Sequence, residues 1–283
     1  MNQFVKSHGL GNDYIVLDGE KLSFQLTRSS IELLCSRNYG IGSDGILLLT
    51  RSEEADFGLR ILNPDGSEAQ KSGNGIRILA KFLYEHGYTD KEIFTIDTPG
   101  GRVEAALEVS GGKVKFVTVE MGKATFNSKL IPVTGAEREV VGEEITVDGD
   151  VMIFTGVSVG NPHCVVFIEV LDEGRLRKMA PLLETHRLFP ERINVQFAKV
   201  RTTRRVEILI WERGAGYTLA SGSSSCAVAA ACVKNGLTDK SLTVSMPGGE
   251  LDIEVREDWS IKMRGPVEEV MGGVISDELL EKL

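Results

Sequence analysis

The chain has 283 residues, of which 42% are hydrophobic and 26% are charged, and these fractions are ordinary for a globular protein. Its length predicts one large domain or two domains of about 140 residues. The formal net charge of −9 argues against general nucleic-acid binding, which requires a basic surface. No apolar run reaches the ~18 residues of a membrane span, and residues 1–19 lack the apolar segment of a secretory signal. We therefore expect a cytoplasmic protein whose four cysteines, which have no metal-ligand spacing, are reduced and buried.

Short apolar and β-branched runs alternate with turns along the chain, and a few segments have helical periodicity. The runs predict strands at Leu59–Leu62, Phe94–Asp97, Val114–Val119, Val151–Val159, Cys164–Val170, Val206–Trp211, Leu242–Met246 and Leu251–Val255. The periodic segments predict helices at Ser29–Arg37, Ile76–Glu85, Arg175–His186 and Ala227–Lys234, and a terminal helix after Asp277. Many strands with about two helices per half indicate an α+β fold.

Glycine accounts for 31 residues, and several of these glycines belong to an internal repeat. The segment Lys71–Arg77 resembles Ala220–Cys226, and each precedes a helical run that ends at a glycine. The offset between Ser72 and Ser221 is 149 residues, and the same offset relates the closing glycines and the Gly-Asn pairs that come earlier in each copy. A register held over so many positions predicts two homologous halves.

We assign residues 1–120 to an N-terminal half and residues 121–270 to a C-terminal half, and we expect residues 271–283 to pack back on the N-terminal half. The predicted architecture is α+β with two pseudo-symmetric halves, each a curved β-sheet or barrel around a central helix. We expect a pseudo-twofold axis to relate the two halves.

Each repeated segment places a serine immediately before a helix whose first residues are small. The start of a helix exposes unpaired backbone N–H groups and the positive end of the macrodipole, so a carboxylate can bind there. Two such helix starts facing one another across a cleft would hold one carboxylate. Ser72 and Ser221 would then flank the same carbon on opposite faces, which is the geometry for inverting a stereocentre by acid and base. The alternative is that both serines only cap their helices.

A second set of polar residues lies in apolar surroundings or at the ends of predicted strands. Carboxylate and guanidinium groups supply charge and asparagine supplies paired donors and acceptors, as binding of a zwitterion requires. The set comprises Asn12, Asn63, Asn161, His163, Asn194, Glu212 and Arg213. Asparagine is also common in turns, so turn formation is the alternative for each of these asparagines.

At these residues the sequence resembles the diaminopimelate epimerase family, over nearly the whole chain. The motifs that carry the resemblance are His8–Asp13, Arg37–Gly45, Asn63–Glu68, Ser72–Arg77, Gly160–His163, Asn194-Val195, Glu212–Thr218 and Met246–Gly249. The resemblance implies two mirrored α/β halves with a cleft between them. It also implies pyridoxal-independent epimerisation of an amino acid without a metal or any other cofactor.

The resemblance also implies roles for individual residues. Asn12, Asn63, Asn161, Asn194, Glu212 and Arg213 would hold the far end of a diamino-dicarboxylate. Gly73, Asn74, Gly222 and Ser223 would receive the α-carboxylate, and His163 and Glu212 would support proton transfer. The family has cysteines at the positions of Ser72 and Ser221, one acting as thiolate base and the other as thiol acid.

Serine at both positions is the main departure from the family pattern, because a serine hydroxyl is a far weaker acid than a thiol. Each serine would need its own base, for which His163 and Lys71 are candidates. Three explanations remain open: Cys→Ser engineering, a natural paralogue with another substrate, and an amino-acid-binding protein without turnover. Natural divergence is favoured by further departures at Gly45, Gln70-Lys71, Ile78 and Ser223–Ser225.

The sequence therefore predicts an epimerase or racemase with an amino-acid substrate, by default LL-diaminopimelate converted to the meso form. The alternatives are an amino-acid-binding paralogue without turnover and an isomerase of a different small acid. The predicted partners are the small-molecule substrate and, because the family often dimerises, a second copy of the chain. We expect no nucleic-acid or membrane partner.

Overall fold

The computed structural model describes residues 2–283, which form two compact units. The first unit contains residues 2–119 together with Gly265–Leu283, and the second contains Glu120–Arg264. The assignment of residues 1–120 and 121–270 to two homologous halves stays a prediction. No helix within residues 2–283 has the length and apolar character that a membrane crossing would require.

The described residues form five α-helices and eighteen strands. The helices are α1 (Arg28–Cys35), α2 (Gly73–Glu85), α3 (Glu173–Glu184), α4 (Gly222–Lys234) and α5 (Asp277–Leu280). The first nine strands are β1 (Gln3–Gly9), β2 (Asn12–Asp18), β3 (Ile46–Thr50), β4 (Phe57–Leu62), β5 (Glu68-Ala69), β6 (Ile93–Asp97), β7 (Val103–Ser110), β8 (Lys113–Lys123) and β9 (Glu143–Val147). The other nine are β10 (Asp150–Ser158), β11 (Pro162–Phe167), β12 (Asn194–Thr202), β13 (Arg205–Glu212), β14 (Gly216–Thr218), β15 (Ser241–Met246), β16 (Gly249–Val255), β17 (Ser260–Pro266) and β18 (Glu268–Val274).

In the first unit a mixed sheet packs against the central helix α2. β1 pairs antiparallel with β2 and β18, β2 pairs parallel with β3, and β3 pairs antiparallel with β4. β4 then pairs parallel with β6, which continues antiparallel into β7. α2 is buried from Gly73 to Leu83 and packs against β1, β2, β3, β4 and β7. The apolar faces of helix and strands thus share one core.

The second unit repeats this order of pairing around α4. β10 pairs antiparallel with β11, β11 parallel with β12, and β12 antiparallel with β13. β13 then pairs parallel with β15, which continues antiparallel into β16. α4 packs against β10, β11, β12, β13, β15 and β16. The α+β architecture with two pseudo-symmetric parts is therefore confirmed, although strand pairing among the described residues leaves the sheet open and forms no closed barrel.

The helix ends explain why the glycine repeat is visible in the sequence. Gly87, with φ of 76°, and Gly236, with φ of 68°, follow α2 and α4 in the left-handed region that glycine tolerates best. After α2, the amide of Tyr88 donates to the carbonyl of Leu83 at 2.9 Å, and an equivalent bond closes α4. Both central helices thus end in the same glycine-dependent motif.

The predicted helices and strands are all present, with shifted ends. The helices predicted to begin at Ile76 and Ala227 begin instead at Gly73 and Gly222, because the small residues after each serine already adopt helical geometry. Several strands were not predicted, among them β1, β2, β3, β12 and β18. The last of these contains two glycines and has no alternation of apolar and polar residues. All four cysteines are free and buried, as expected.

Candidate active site

In the first unit, Ser72 is the N-cap of α2. Its Oγ accepts a hydrogen bond from the backbone N–H of Gly75 at 3.1 Å. The phenol oxygen of Tyr14, a buried residue of β2, lies 3.4 Å from the same Oγ. The serine hydroxyl is half-buried at the start of a helix, where an anion is favoured. The capping alternative is thus correct for Ser72, and it leaves a catalytic role open.

Asn12 and Asn74 form a direct amide pair beside this helix start. Nδ2 of Asn74 donates to Oδ1 of Asn12 at 3.0 Å. Oδ1 of Asn74 accepts from Nη2 of Arg77 at 2.8 Å, while Nη1 of the same arginine donates to the carbonyl of Gly73 at 3.1 Å. Arg77 is fully buried, so it adds a positive charge beneath the first turn of α2. An anionic ligand would be favoured here.

An ionic cluster fixes the other side of Asn12. Nδ2 of Asn12 donates to Asp44 at 3.0 Å, and Arg37 bridges Asp44 and Asp13 at 2.8 Å from each carboxylate. Burial alone would raise the pKa of Asp13, but hydrogen bonds from Arg37 and Lys6 outweigh it and lower the pKa below its usual value. The charged cluster therefore holds Asn12 in one orientation at neutral pH.

In the second unit, Ser221 is the N-cap of α4. Its Oγ accepts from the backbone N–H of Ser224 at 3.4 Å and lies 3.4 Å from the hydroxyl of Ser223. Asn161, which immediately precedes β11, donates from Nδ2 to Oγ of Ser223 at 3.3 Å. Ser221 is 6% exposed, so its side chain is almost entirely buried.

His163 is fully buried and is held between two amide side chains. Nε2 of Gln196 lies 3.1 Å from Nδ1 of His163 and can only donate to it. The neutral ring therefore carries its proton on Nε2, which donates to Oδ1 of Asn161 at 2.9 Å. Burial lowers the pKa of His163 to about 3. Among residues 2–283 no hydrogen bond joins His163 to Ser221, and the ring instead orients Asn161.

Asn194, Glu212 and Arg213 meet at the turn that follows β13. Asn194 donates from Nδ2 to the carbonyl of Pro162 at 2.7 Å and accepts the backbone N–H of Arg213 on Oδ1 at 2.9 Å. Oε1 of Glu212 accepts from the hydroxyl of Thr218 at 2.9 Å. Asn194 thus connects the start of β12 to this turn, and the guanidinium of the exposed Arg213 extends from a fixed peptide.

The two units make the same contact at the repeat offset. In the first unit Asn12 contacts Asn74, and in the second unit Asn161 contacts Ser223. Asn161 lies 149 residues after Asn12, and Ser223 lies 149 residues after Asn74. One pair of equivalent positions differs in chemistry. In the second unit Gln196 donates to Ser224 at 3.0 Å, whereas the first unit has Leu47 against Gly75, where an added Cβ would lie 2.8 Å from the leucine.

The structure brings most predicted site residues into two groups, one in each unit. Asn63 differs, because its amide donates to the hydroxyl of Ser67 at 2.9 Å inside the turn after β4. Tyr14 and Gln196 were not predicted, and for the latter a polar residue within the buried run of β12 was the available signal. Within residues 2–283 no group of three or more histidine, cysteine or acidic side chains is arranged to hold a metal ion.

Comparison with known proteins identifies the family. The family model for diaminopimelate epimerase matches residues 4–127 and 155–270. A Nostoc protein named diaminopimelate epimerase 2 is 48% identical over 278 residues, covering 98% of this chain and 96% of its own. A diaminopimelate epimerase from Pelotomaculum thermopropionicum is 42% identical over 272 residues, covering 95% of this chain and 97% of its own.

Solved structures with little sequence identity share the fold. A hydroxyproline epimerase from Agrobacterium vitis, with bound trans-4-hydroxy-L-proline, has a TM-score of 0.73 at 16% identity, covering 96% of this chain and 90% of its own. A phenazine biosynthesis protein from Bacillus anthracis has a TM-score of 0.68 at 15% identity, covering 97% of this chain and 98% of its own. Together with the near-full-length relatives, these findings show that the chain is an isomerase-like enzyme that belongs to the diaminopimelate epimerase family.

Proposed function

We propose that this protein epimerises or racemises an amino acid without a cofactor, and that LL-diaminopimelate, converted to the meso form, is its default substrate. The observation that carries the proposal is the repeated constellation of an N-cap serine and an asparagine-linked first helical turn. Ser72 with Asn12 and Asn74 forms one copy, and Ser221 with Asn161 and Ser223 forms the other. Family membership supports the reaction class.

In the proposed reaction the two serines act on one α-carbon. One serine, as its alkoxide, removes the α-proton and becomes a hydroxyl, and the hydroxyl of the other serine donates its proton to the opposite face and is left as an alkoxide. The first turns of α2 and α4, at Gly73-Asn74 and Gly222-Ser223, receive the α-carboxylate through backbone N–H groups. The distal ammonium and carboxylate groups require neutral amides and paired charges, which the asparagines, Glu212 and Arg213 supply.

A second candidate function is amino-acid binding without turnover, and the hydrogen-bond partners of the two serines favour it. In the described part of the chain, neither Ser72 nor Ser221 hydrogen-bonds to a histidine, lysine or acidic side chain. An unassisted hydroxyl is a poor base. A third candidate is an isomerase of another small acid, one with a more acidic proton.

Deuterium incorporation at the α-carbon separates these functions. The protein is incubated in deuterated water with LL- and meso-diaminopimelate and then with a panel of other amino acids. Exchange with diaminopimelate supports the proposal, whereas exchange with another compound alone identifies a different substrate. Saturable binding without exchange would favour the binding protein. The S72A/S221A variant is the control, and S72C/S221C tests whether thiols restore or raise epimerisation.

We also propose that the partner is a second copy of the chain, which binds at β18. Val270, Met271 and Val274 of this strand are 50–58% exposed, and apolar patches of this kind mark association surfaces. A cavity of about 550 Å³ opens beside Val274 and is lined in part by Phe4 and Phe82. Val274→Lys should convert a dimer to a monomer in sedimentation experiments, whereas Val151→Lys, at an equally exposed site in β10, should not.

A further inference from the structure

The carboxylate of Glu184, at the C-terminal end of α3, is enclosed and is held by two hydrogen bonds and one ion pair. The residue is 4% exposed. Its Oε2 accepts from Nε1 of Trp211 at 2.7 Å, and its Oε1 accepts from the backbone N–H of Gly214 at 2.9 Å. Nη2 of Arg192 lies 3.1 Å from the same Oε1. A buried carboxylate is costly unless it is satisfied in this way, so the geometry around it is tightly specified.

Two consecutive amides of the turn after β13 are thereby held by separate side chains. The N–H of Arg213 donates to Asn194, and the N–H of Gly214 donates to Glu184. Gly214 has a φ of 79°, which places it in the left-handed region. Nη1 of Arg213 also donates to the carbonyl of Glu191 at 3.1 Å. The turn is therefore anchored from the end of α3 and from the start of β12.

We propose that Glu184 is a positioning residue, which fixes the turn at residues 212–215 so that Glu212 and Arg213 present their side chains to the substrate. This inference rests on the proposed function, in which these two residues bind the distal end of an amino acid. Glu184 acts through the Gly214 amide and does not itself contact substrate. A carboxylate with only a structural role would affect the free energy of unfolding and leave substrate affinity unchanged.

Glu184→Gln is the informative substitution because it keeps the size of the side chain and removes one acceptor. Each oxygen of the carboxylate accepts from one donor, Trp211 or Gly214. A carboxamide has a single oxygen, so it cannot offer a separate acceptor to each. Its NH2 group must then face an N–H donor. We expect the Gly214 amide to exchange with solvent about tenfold faster, and KM for diaminopimelate to rise about tenfold with a smaller change in kcat.

Trp211→Phe supplies the rescue, since it removes the indole N–H that competes for the carboxamide oxygen. In the E184Q/W211F variant the glutamine oxygen is free to accept from Gly214, so both amide exchange and KM should return close to the values of W211F alone. Glu169→Gln is the matched control, because Glu169 is an exposed glutamate of the same unit. It should change neither quantity.

Amide exchange is followed by NMR without substrate, and KM and kcat are measured by α-deuterium exchange. Faster Gly214 exchange and higher KM in E184Q, both reversed by W211F, support the proposal. Unchanged Gly214 exchange in a folded E184Q protein overturns it, as does a loss of stability with unaltered KM. If the wild-type protein binds and exchanges no amino acid, the proposed function fails, and the amide-exchange result still decides whether Glu184 positions the turn.

Discussion

The phenol oxygen of Tyr14 lies 3.4 Å from Oγ of Ser72. The ring fits here because residue 45 is glycine: a Cβ at that position would lie 2.9 Å from Cε1 of Tyr14 and 2.7 Å from the carbonyl oxygen of Leu62. Ser72 already accepts the N–H of Gly75. If the Tyr14 hydroxyl also donates to this oxygen, the proton of Ser72 stays available for transfer. The same hydrogen bond would then stabilise the oxygen anion that forms after the transfer.

Tyr14→Phe should therefore lower α-deuterium exchange at least about tenfold, because a hydrogen bond to a developing charge contributes about 1.5–3 kcal/mol. The ring is retained, so the protein should stay folded. Tyr39→Phe is the control, since Tyr39 is 83% exposed. An unchanged exchange rate in folded Y14F would mean that the phenol does not assist Ser72.

Gln196 fixes which nitrogen of the neutral His163 ring carries the proton, and Gln196→Glu should favour the charged ring. A carboxylate beside Nδ1 favours the imidazolium form, so the pKa of His163 should rise from about 3, and NMR of the ring in the folded protein can follow this rise. Gln70→Glu, at an exposed position, should leave the ring neutral. A His163 that stays neutral in folded Q196E would contradict this control of the ring by residue 196.

Burial of neutral His163 also predicts a pH dependence of stability. The folded-state pKa of about 3 lies below the ordinary value of 6.5, so between these two values the unfolded chain binds a proton that the folded chain does not. The contribution to the free energy of unfolding is fully present above pH 6.5 and is lost as the pH falls towards 3.

The measurement is urea unfolding of the wild-type and H163Q proteins across this pH range. The difference between the free energies of unfolding of the two proteins should be constant above neutrality. It should decrease as the pH falls, with a slope that corresponds to the uptake of at most one proton on unfolding. Parallel curves over the whole range would show that His163 does not carry this dependence.

Local rules made the centre of each unit predictable from the sequence. Serine before a run of small residues and glycine after an apolar helix are signals that act over a few positions, so the places of Ser72, Gly87 and their counterparts at the helix ends were predicted correctly. α2 begins three residues and α4 five residues before the predicted starts, because glycine has low helical propensity and the tertiary core nevertheless stabilises the helix at Gly73 and Gly222.

Contacts between distant segments could not be predicted in the same way. Gln196 and Ser224 are separated by 28 positions, and nothing in either local sequence states that the glutamine also contacts His163. The repeat itself was misleading at this point, because the equivalent positions in the first unit, Leu47 and Gly75, are apolar. The two units place equivalent positions in equivalent places, but the residue type at each position determines which contacts form there.

Because Ser72 and Ser221 cap their helices, introducing thiols at these positions should lower stability. Each hydroxyl oxygen accepts a backbone N–H at the start of a buried helix, and a cysteine sulfur is a weak acceptor. Ser→Ala at either position should lower the free energy of unfolding by about 1 kcal/mol, and Ser→Cys by a similar or slightly smaller amount.

Urea unfolding of the four single variants measures this cost, with Ser110→Ala, at an exposed strand end, as the control. If S72C and S221C gain epimerase activity, they should do so despite lower stability, since the sulfur that serves as a better acid and base serves less well as a cap. Cysteine variants at least as stable as the wild type would contradict the capping argument, because the hydroxyl–amide bonds would then contribute nothing to folding.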